Sequence, residues 1–393
     1  MAGSVIAAGA RTPIGKLSGV FASMSAMDLG GVAIAGALER AGITGNQVDL
    51  VLMGHVIEAG GGQITARQAA VAGGIPMSVP ATTINKVCLS GLNAIYLADL
   101  MIQAGEADII VAGGMESMTN APYLLPGARA GYRLGDQTVV DSLMGDGLTC
   151  AFDHEGMGLA TDRYNKAVGV SRERQDAFAA ASHQKAAAAI ASGIMAEEIV
   201  PVAVPQRKGD PKIIGEDEGV RAETTAESLG ALRPAFDREG TITAGNASQI
   251  SDGAAAVVVM SAAKAAELGI TGLGELVAFA EVAGPDASLL HQPARAIELA
   301  LKKAGLGVAD LDLVEINEAF AAVGLASSDL LGLDESKVNV NGGAIALGHP
   351  LGASGARVAL TALYELGRRG GGTAAVALCG GGGQGDAAIF RTR

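Results

Sequence analysis

The sequence predicts an α/β protein made of two similarly wound halves with a segment inserted between them. Three observations carry this. Short apolar runs rich in β-branched residues alternate with helix-period runs, one such passage recurs further along in gap-free register, and the middle of the chain changes composition.

In chain order, SVIAAG (4–9) is a short buried-strand pattern and RTPIGK (11–16) a turn. A helix pattern over about 26–41 stops at Gly42, and DLVLMGHVI (49–57) follows as a strand. A second helix pattern lies near 64–73. ATTINKV then runs extended into Cys88, and a helix begins just after it, with Leu92, Ile95, Tyr96 and Leu97 as its apolar positions. DIIVA (108–112) is the next strand.

The pattern then returns. VAIAGALERAGITGNQVDLV (32–51) matches RAIELALKKAGLGVADLDLV (295–314), with Ile34 on Ile297, Leu38 on Leu301, Gly42 on Gly305 and Asp49 on Asp312, each pair 263 apart. Cys88 falls near His349 at an offset of 261, and DIIVAGG (108–114) near AVALCGG (375–381) at 267. Between the copies the chain is rich in Met, Gly, Pro and charge, with one strong helix pattern at 171–192 that Ser171 caps. GAAAVVVM (253–260) reads as a strand returning to the first half. The predicted organisation is an N-terminal half at 1–118 completed by 246–270, an inserted loop domain at 119–245, and a C-terminal half at 271–393.

Composition narrows the function. The 393 residues are 49% hydrophobic and 18% charged, enough to bury a sizeable core, and 57 glycines with only 3% aromatics favour close helix–sheet packing. A net charge of -13 argues against a nucleic-acid surface or a basic membrane face, though a local patch could still hold an anionic substrate. Three cysteines make no disulfide framework, which points to a reducing compartment. With no positive charge before Arg11 and no apolar run of about 18 residues, no signal peptide or membrane span is expected, and the placement is cytoplasmic.

Four features carry chemistry. Cys88 precedes a helix, whose positive end favours thiolate and should lower the thiol's pKa, although a lone cysteine is more often a small buried hydrophobe. Asn317 and Glu318 in EINEAFAA (315–322) end a strand, the edge at which open parallel sheets bind ligands; such residues are often merely solvated. His349 sits in a glycine-dense loop, NVNGGAIALGHPLGASGAR (339–357), and is a candidate general base or a hydrogen-bonded loop histidine. Cys379 ends an apolar strand and precedes four glycines whose N–H groups could form an oxyanion hole. Gly380, Gly382 and Gly385 also fit a dinucleotide-binding pattern, but too little chain follows for the required helix and strand. The duplication would bring Cys88, His349 and Cys379 to one cleft. Two thiols and an imidazole suit carbon–carbon chemistry on thioesters, while Cys-Cys-His as a zinc set is the lesser reading. Cys150 has no comparable context.

INKVCLSG, GNASQISDGAAA, NEAFA, NGGAIALGHPLGASGAR and CGGGGQGD together resemble the thiolases, most closely the acetyl-CoA acetyltransferases among them, over nearly the whole chain. That resemblance implies a duplicated αβαβα fold with an inserted loop domain, assembled as dimers into a homotetramer. It implies acetyl-CoA or other acyl-CoA thioesters as substrates, with no cofactor and no metal. Cys88 matches the acetylated nucleophile, His349 its activator, and Cys379 the acid/base acting on the second acetyl-CoA. Asn317 matches the residue that acts with His349, through a water, on the enolate oxygen, and the N–H groups of Cys88 and Gly381 match a second oxyanion hole. Ser248, Phe236 and Ala244 match pantetheine contacts, Arg221 and Ser228 the nucleotide end, and Leu148, Met157 and Phe320 the acyl pocket. Two places depart from short-chain relatives: Gly156-Met157 stands where a His-Met pair is common, with His154 upstream, and Leu289 in SLLHQP stands where a Met is common. A thiolase for longer or branched 3-ketoacyl-CoA is therefore the alternative. A ketoacyl synthase should carry His in place of Cys379, and a non-catalytic acyl-CoA-binding protein would keep the cysteines as structure.

Overall fold

The computed structural model describes residues 3–392. The first half comprises β1 (Ser4–Arg11), α1 (Ala26–Ala41), β2 (Leu50–Gly54), α2 (Thr65–Ala72), β3 (Ala81–Ile84), α3 (Ser90–Gln103), β4 (Ile109–Ser117) and, after the insertion, β5 (Ser251–Ser261). Its main strands lie in the order β1-β5-β4-β2-β3, with β2 parallel to both neighbours and β5 antiparallel to both of its own. The second half comprises β6 (Glu275–Ala283), α4 (Gln292–Ala304), β7 (Leu313–Ile316), α5 (Ala321–Leu331), α6 (Leu351–Arg368), β8 (Gly372–Gly380) and β9 (Gln384–Thr392). Its order, β6-β9-β8-β7, repeats the first with one strand fewer. The counterpart of β3 has shrunk to a single parallel bridge between Val314 and Val338.

The helix ends follow local chemistry. Ser25 and Asp28 form a capping box at the start of α1, and Gly42 closes it at φ 68°, a left-handed conformation that glycine adopts without a Cβ penalty. Gly305 closes α4 in the same way at φ 69°. In the insertion, Ser171 accepts from the Arg174 N–H and starts the helix Arg172–Ala191. The repeat is also visible in strand pairing: Leu50 faces Ile110 in the first sheet and Leu313 faces Ala374 in the second. The offset across β4 and β8 is thus 264, which corrects the 267 suggested by the apolar motifs. Uniformly apolar strands carry no marker that fixes their register to within a few residues.

Alternation along each strand builds the layers. Ala254, Ala256, Val258 and Met260 of β5 pack with α1 and α2 on the outer face, while Ala255, Val257 and Val259 turn inward. In β8, Ala374, Val376 and Leu378 face inward and Ala375 and Ala377 face α4. The central strands of both sheets are buried on both faces, so they read as continuous apolar runs. The inward faces share one core with α3 and α6, giving five layers: outer helices, sheet, the α3–α6 pair, sheet, outer helix.

The α3–α6 pair aligns the site, and glycine lets it close. A Cβ on Gly355 would lie 2.2 Å from the Leu92 backbone nitrogen, and one on Gly91 2.7 Å from that of Ala356. Gly355→Ala is expected to wedge the central helices apart, costing about 1–3 kcal/mol, read as a lower melting temperature. Among the described residues no helix is long and apolar enough to cross a membrane.

Candidate active site

Cys88 sits on a tight turn between β3 and α3. Val87 before it is held at φ 52°, and Ser90 stitches the turn by donating to the Val87 carbonyl at 2.6 Å while accepting from the Lys86 N–H at 2.9 Å. The turn sets the thiol at the helix start, partly buried. The helix end was expected to lower the pKa; instead burial pushes the thiol up to about 12. The Cys88 and Gly381 N–H groups approach the sulfur and favour thiolate, but the Glu116 charge opposes them and desolvation outweighs both.

His349 occupies the corresponding place before α6 and is buried. Its Nδ1 lies 2.6 Å from the Ser354 oxygen, and the Ser354 hydroxyl donates to the Pro350 carbonyl at 2.8 Å. With that hydroxyl proton engaged, Nδ1–H is the donor and Nε2 is left as an acceptor. Burial, helped by the Arg357 charge, lowers the imidazole to about 3. The resting groups are therefore a thiol and a neutral imidazole whose Nε2 is an acceptor.

Asn317 leaves the end of β7 fully buried, with Nδ2 3.3 Å from His349 Nε2 and Oδ1 without a partner. It meets the imidazole directly. Cys379, at the end of β8, is fully buried; desolvation raises its pKa, and so does the charge that Cys88 would carry, which places the sulfurs within electrostatic reach. Gly380–Gly383 turn β8 into β9, with Gly382 and Gly383 at φ 80° and 71°. A Cβ on Gly383 would lie 2.0 Å from the Asp286 carbonyl, so the loop's close approach depends on glycine.

A cavity of about 490 Å3 opens beside these groups. His349, Met118, Leu148 and Leu351 contribute to its lining, together with Met157, Phe320, Phe236, Ala244 and Ser248. The acyl-pocket and pantetheine residues expected from sequence thus share one largely apolar chamber. Ser248 is carried there because its N–H donates to the Ala319 carbonyl at 3.0 Å. Arg221 and Ser228 do not line this cavity. Both are exposed on the insertion, where the Arg221 N–H donates to His183 Nδ1 at 3.2 Å and Ser228 completes a capping box with Thr225. Leu289 packs in the apolar cluster that contains Phe320 and Cys379. Cys150 is buried, with the Asp153 N–H donating to its sulfur at 3.4 Å.

Two functional groups escaped sequence reasoning. Ser354 could have been suspected from its place one turn into the helix after His349. Glu116, buried at the end of β4, accepts from the Val56, Ile57 and Gly352 N–H groups at 3.2, 3.1 and 2.9 Å. It joins the Cys88 side to the first turn of the helix behind His349. Its only signal was a carboxylate closing an otherwise apolar strand.

Comparison with known proteins agrees with this fold. The family model described as "Thiolase, N-terminal domain" matches residues 4–263, and "Thiolase, C-terminal domain" matches 270–392. A probable acetyl-CoA acetyltransferase of Mycolicibacterium smegmatis is 59% identical over 387 residues, covering 98% of this chain and 100% of the relative. An acetyl-CoA acetyltransferase of Cupriavidus necator is 52% identical, covering 98% of each. The crystal structure of the Bacillus anthracis acetyl-CoA acetyltransferase superposes with a TM-score of 0.97 at 39% identity, covering 100% of this chain and 99% of that one.

Proposed function

The chain belongs to the thiolase family, and we propose from that premise that it joins two acetyl-CoA into acetoacetyl-CoA and free CoA, reversibly, through an acetyl-cysteine. The single observation that carries this reading is that two thiols lie within electrostatic reach of each other while a neutral imidazole, its Nε2 facing the Asn317 amide, lines an apolar chamber.

In this scheme Cys88 Sγ attacks the acetyl-CoA carbonyl as its proton passes to His349 Nε2. The CoA sulfur departs with the proton of Cys379, leaving a thiolate there. That thiolate takes a methyl proton from the second acetyl-CoA, and His349, with Asn317 acting through a water, stabilises the enolate oxygen. The carbanion attacks the acetyl-Cys88 carbonyl, whose oxyanion the Cys88 and Gly381 N–H groups receive. Cys88 then leaves and recovers its proton from His349. The high thiol and low imidazole pKa values fit proton transfers coupled to bond making rather than a standing ion pair.

Full-length relatives named acetyl-CoA acetyltransferases favour the acetyl reading over longer chains. Arg221 and Ser228, on the insertion, are assigned to the nucleotide end. CoA thioesters are substrates here, and the reaction calls for no cofactor. A homotetramer, cytoplasmic placement and a role in fatty-acid metabolism belong to the same proposal. The test is thiolysis of acetoacetyl-CoA beside that of a longer 3-ketoacyl-CoA. Acetoacetyl-CoA is expected to win by at least roughly tenfold in kcat/KM; a reversed preference would favour the longer-chain alternative.

A further inference from the structure

Lys86 stands two residues before Cys88, and its ammonium reaches the other half of the molecule. It donates to the two Asp386 oxygens at 2.8 and 2.9 Å and also meets Glu281. Asp386 is fully buried on β9, Glu281 is its register partner on β6, and the Asn93 amide of α3 donates to Glu281 at 3.3 Å. Asp386 also follows Gly385, which pairs with Cys379 across the β8–β9 ladder. One ion pair therefore ties the approach to the first sulfur to the strand beside the second. Tyr96 of α3 stacks on Phe279 of β6 with ring centroids 3.9 Å apart, extending the same seam. Neither Lys86 nor Asp386 lines the cavity.

We infer that the Lys86–Asp386 pair is a positioning device that holds the Cys88 turn at working distance from Cys379. Its catalytic consequence rests on the two-thiol reaction proposed above; its geometric consequence does not. A lysine is long enough to span the seam, and a buried carboxylate stripped of its cation would be an uncompensated charge, so the pair pins both segments. Asp386 also gives the pair a pH signature. Burial pushes its carboxyl up to about 6; Lys86 and the Asn93 hydrogen bond pull it down, and Glu281 pushes it up. Above that pH the carboxylate is charged and the tie is intact; as pH falls through it, Asp386 protonates and the tie weakens. His349, lowered to about 3, does not titrate in that window.

Asp386→Asn in the full chain is expected to lower kcat roughly tenfold through misplaced sulfurs, with KM unchanged. The acid limb near pH 6 should flatten in that variant. In Lys86→Met the limb should move to higher pH, because the cation that favours the carboxylate is gone. Lys86 is partly exposed, so its variant supplies the reading if Asp386→Asn does not fold. A merely structural tie would lower the melting temperature and leave the limb where it was. A folded variant with unchanged kcat and limb would overturn the inference. Bridging of Cys88 and Cys379 by dibromobimane, mapped on peptides at one pH, separates this from the reaction itself: slower bridging in Asp386→Asn supports the device even if acetyl-CoA is not the substrate, and equal bridging contradicts it.

Discussion

Cys88→Ser is expected to lower kcat by on the order of 10^4-fold or more, with no acetyl group retained on the protein. The reason lies in the pKa values around the sulfur. A neutral imidazole lowered to about 3 is too weak a base to ionise an alcohol, whereas it can share the proton of a thiol as the carbon–sulfur bond forms. Serine is nearly isosteric, so the melting temperature and CoA binding should hold while turnover disappears. Steady-state kinetics beside calorimetric titration with CoA separates these. A serine variant with a tenth of the wild-type rate would remove Cys88 from the nucleophile's role.

Cys379→Ala is expected to split the reaction rather than stop it at the first step. Acetylation of Cys88 needs the thiol, His349 and the two N–H donors, none of which this substitution removes. Removal of the methyl proton needs the second thiolate, so condensation should fall by roughly 10^2–10^4-fold. Rapid mixing with acetyl-CoA should release CoA as a burst of about one equivalent per site, slower than in the parent because Cys379 no longer protonates the departing sulfur. Exchange of the acetyl-CoA methyl hydrogens with deuterated water should vanish. Retained exchange would assign the proton transfer to another group.

The sequence carried much of this because the structure repeats itself and its punctuation is chemical. Gly42 and Gly305 end equivalent helices, Asp49 and Asp312 precede equivalent strands, and Ser171 caps the helix assigned to it. Cys88 and His349 were legible as residues just before helices, and Cys379 as a strand end running into glycines. Other features depend on distance through space. Lys86 and Asp386 are 300 positions apart, and nothing local to either announces the other. The Cys88 pKa inverted the expectation for a related reason: a helix end is a local feature, whereas the desolvation that outweighs it comes from side chains contributed by many elements. Arg221 and Ser228 sit on an exposed insertion whose placement against the cavity no periodicity encodes.

The most direct measurement is peptide mapping of the enzyme quenched after brief exposure to acetyl-CoA. One acetyl thioester should be found on the peptide bearing Cys88, and it should be discharged when free CoA is added. Turnover of acetyl-CoA with the label on Cys379 or another residue, or with no label at all, would contradict the account.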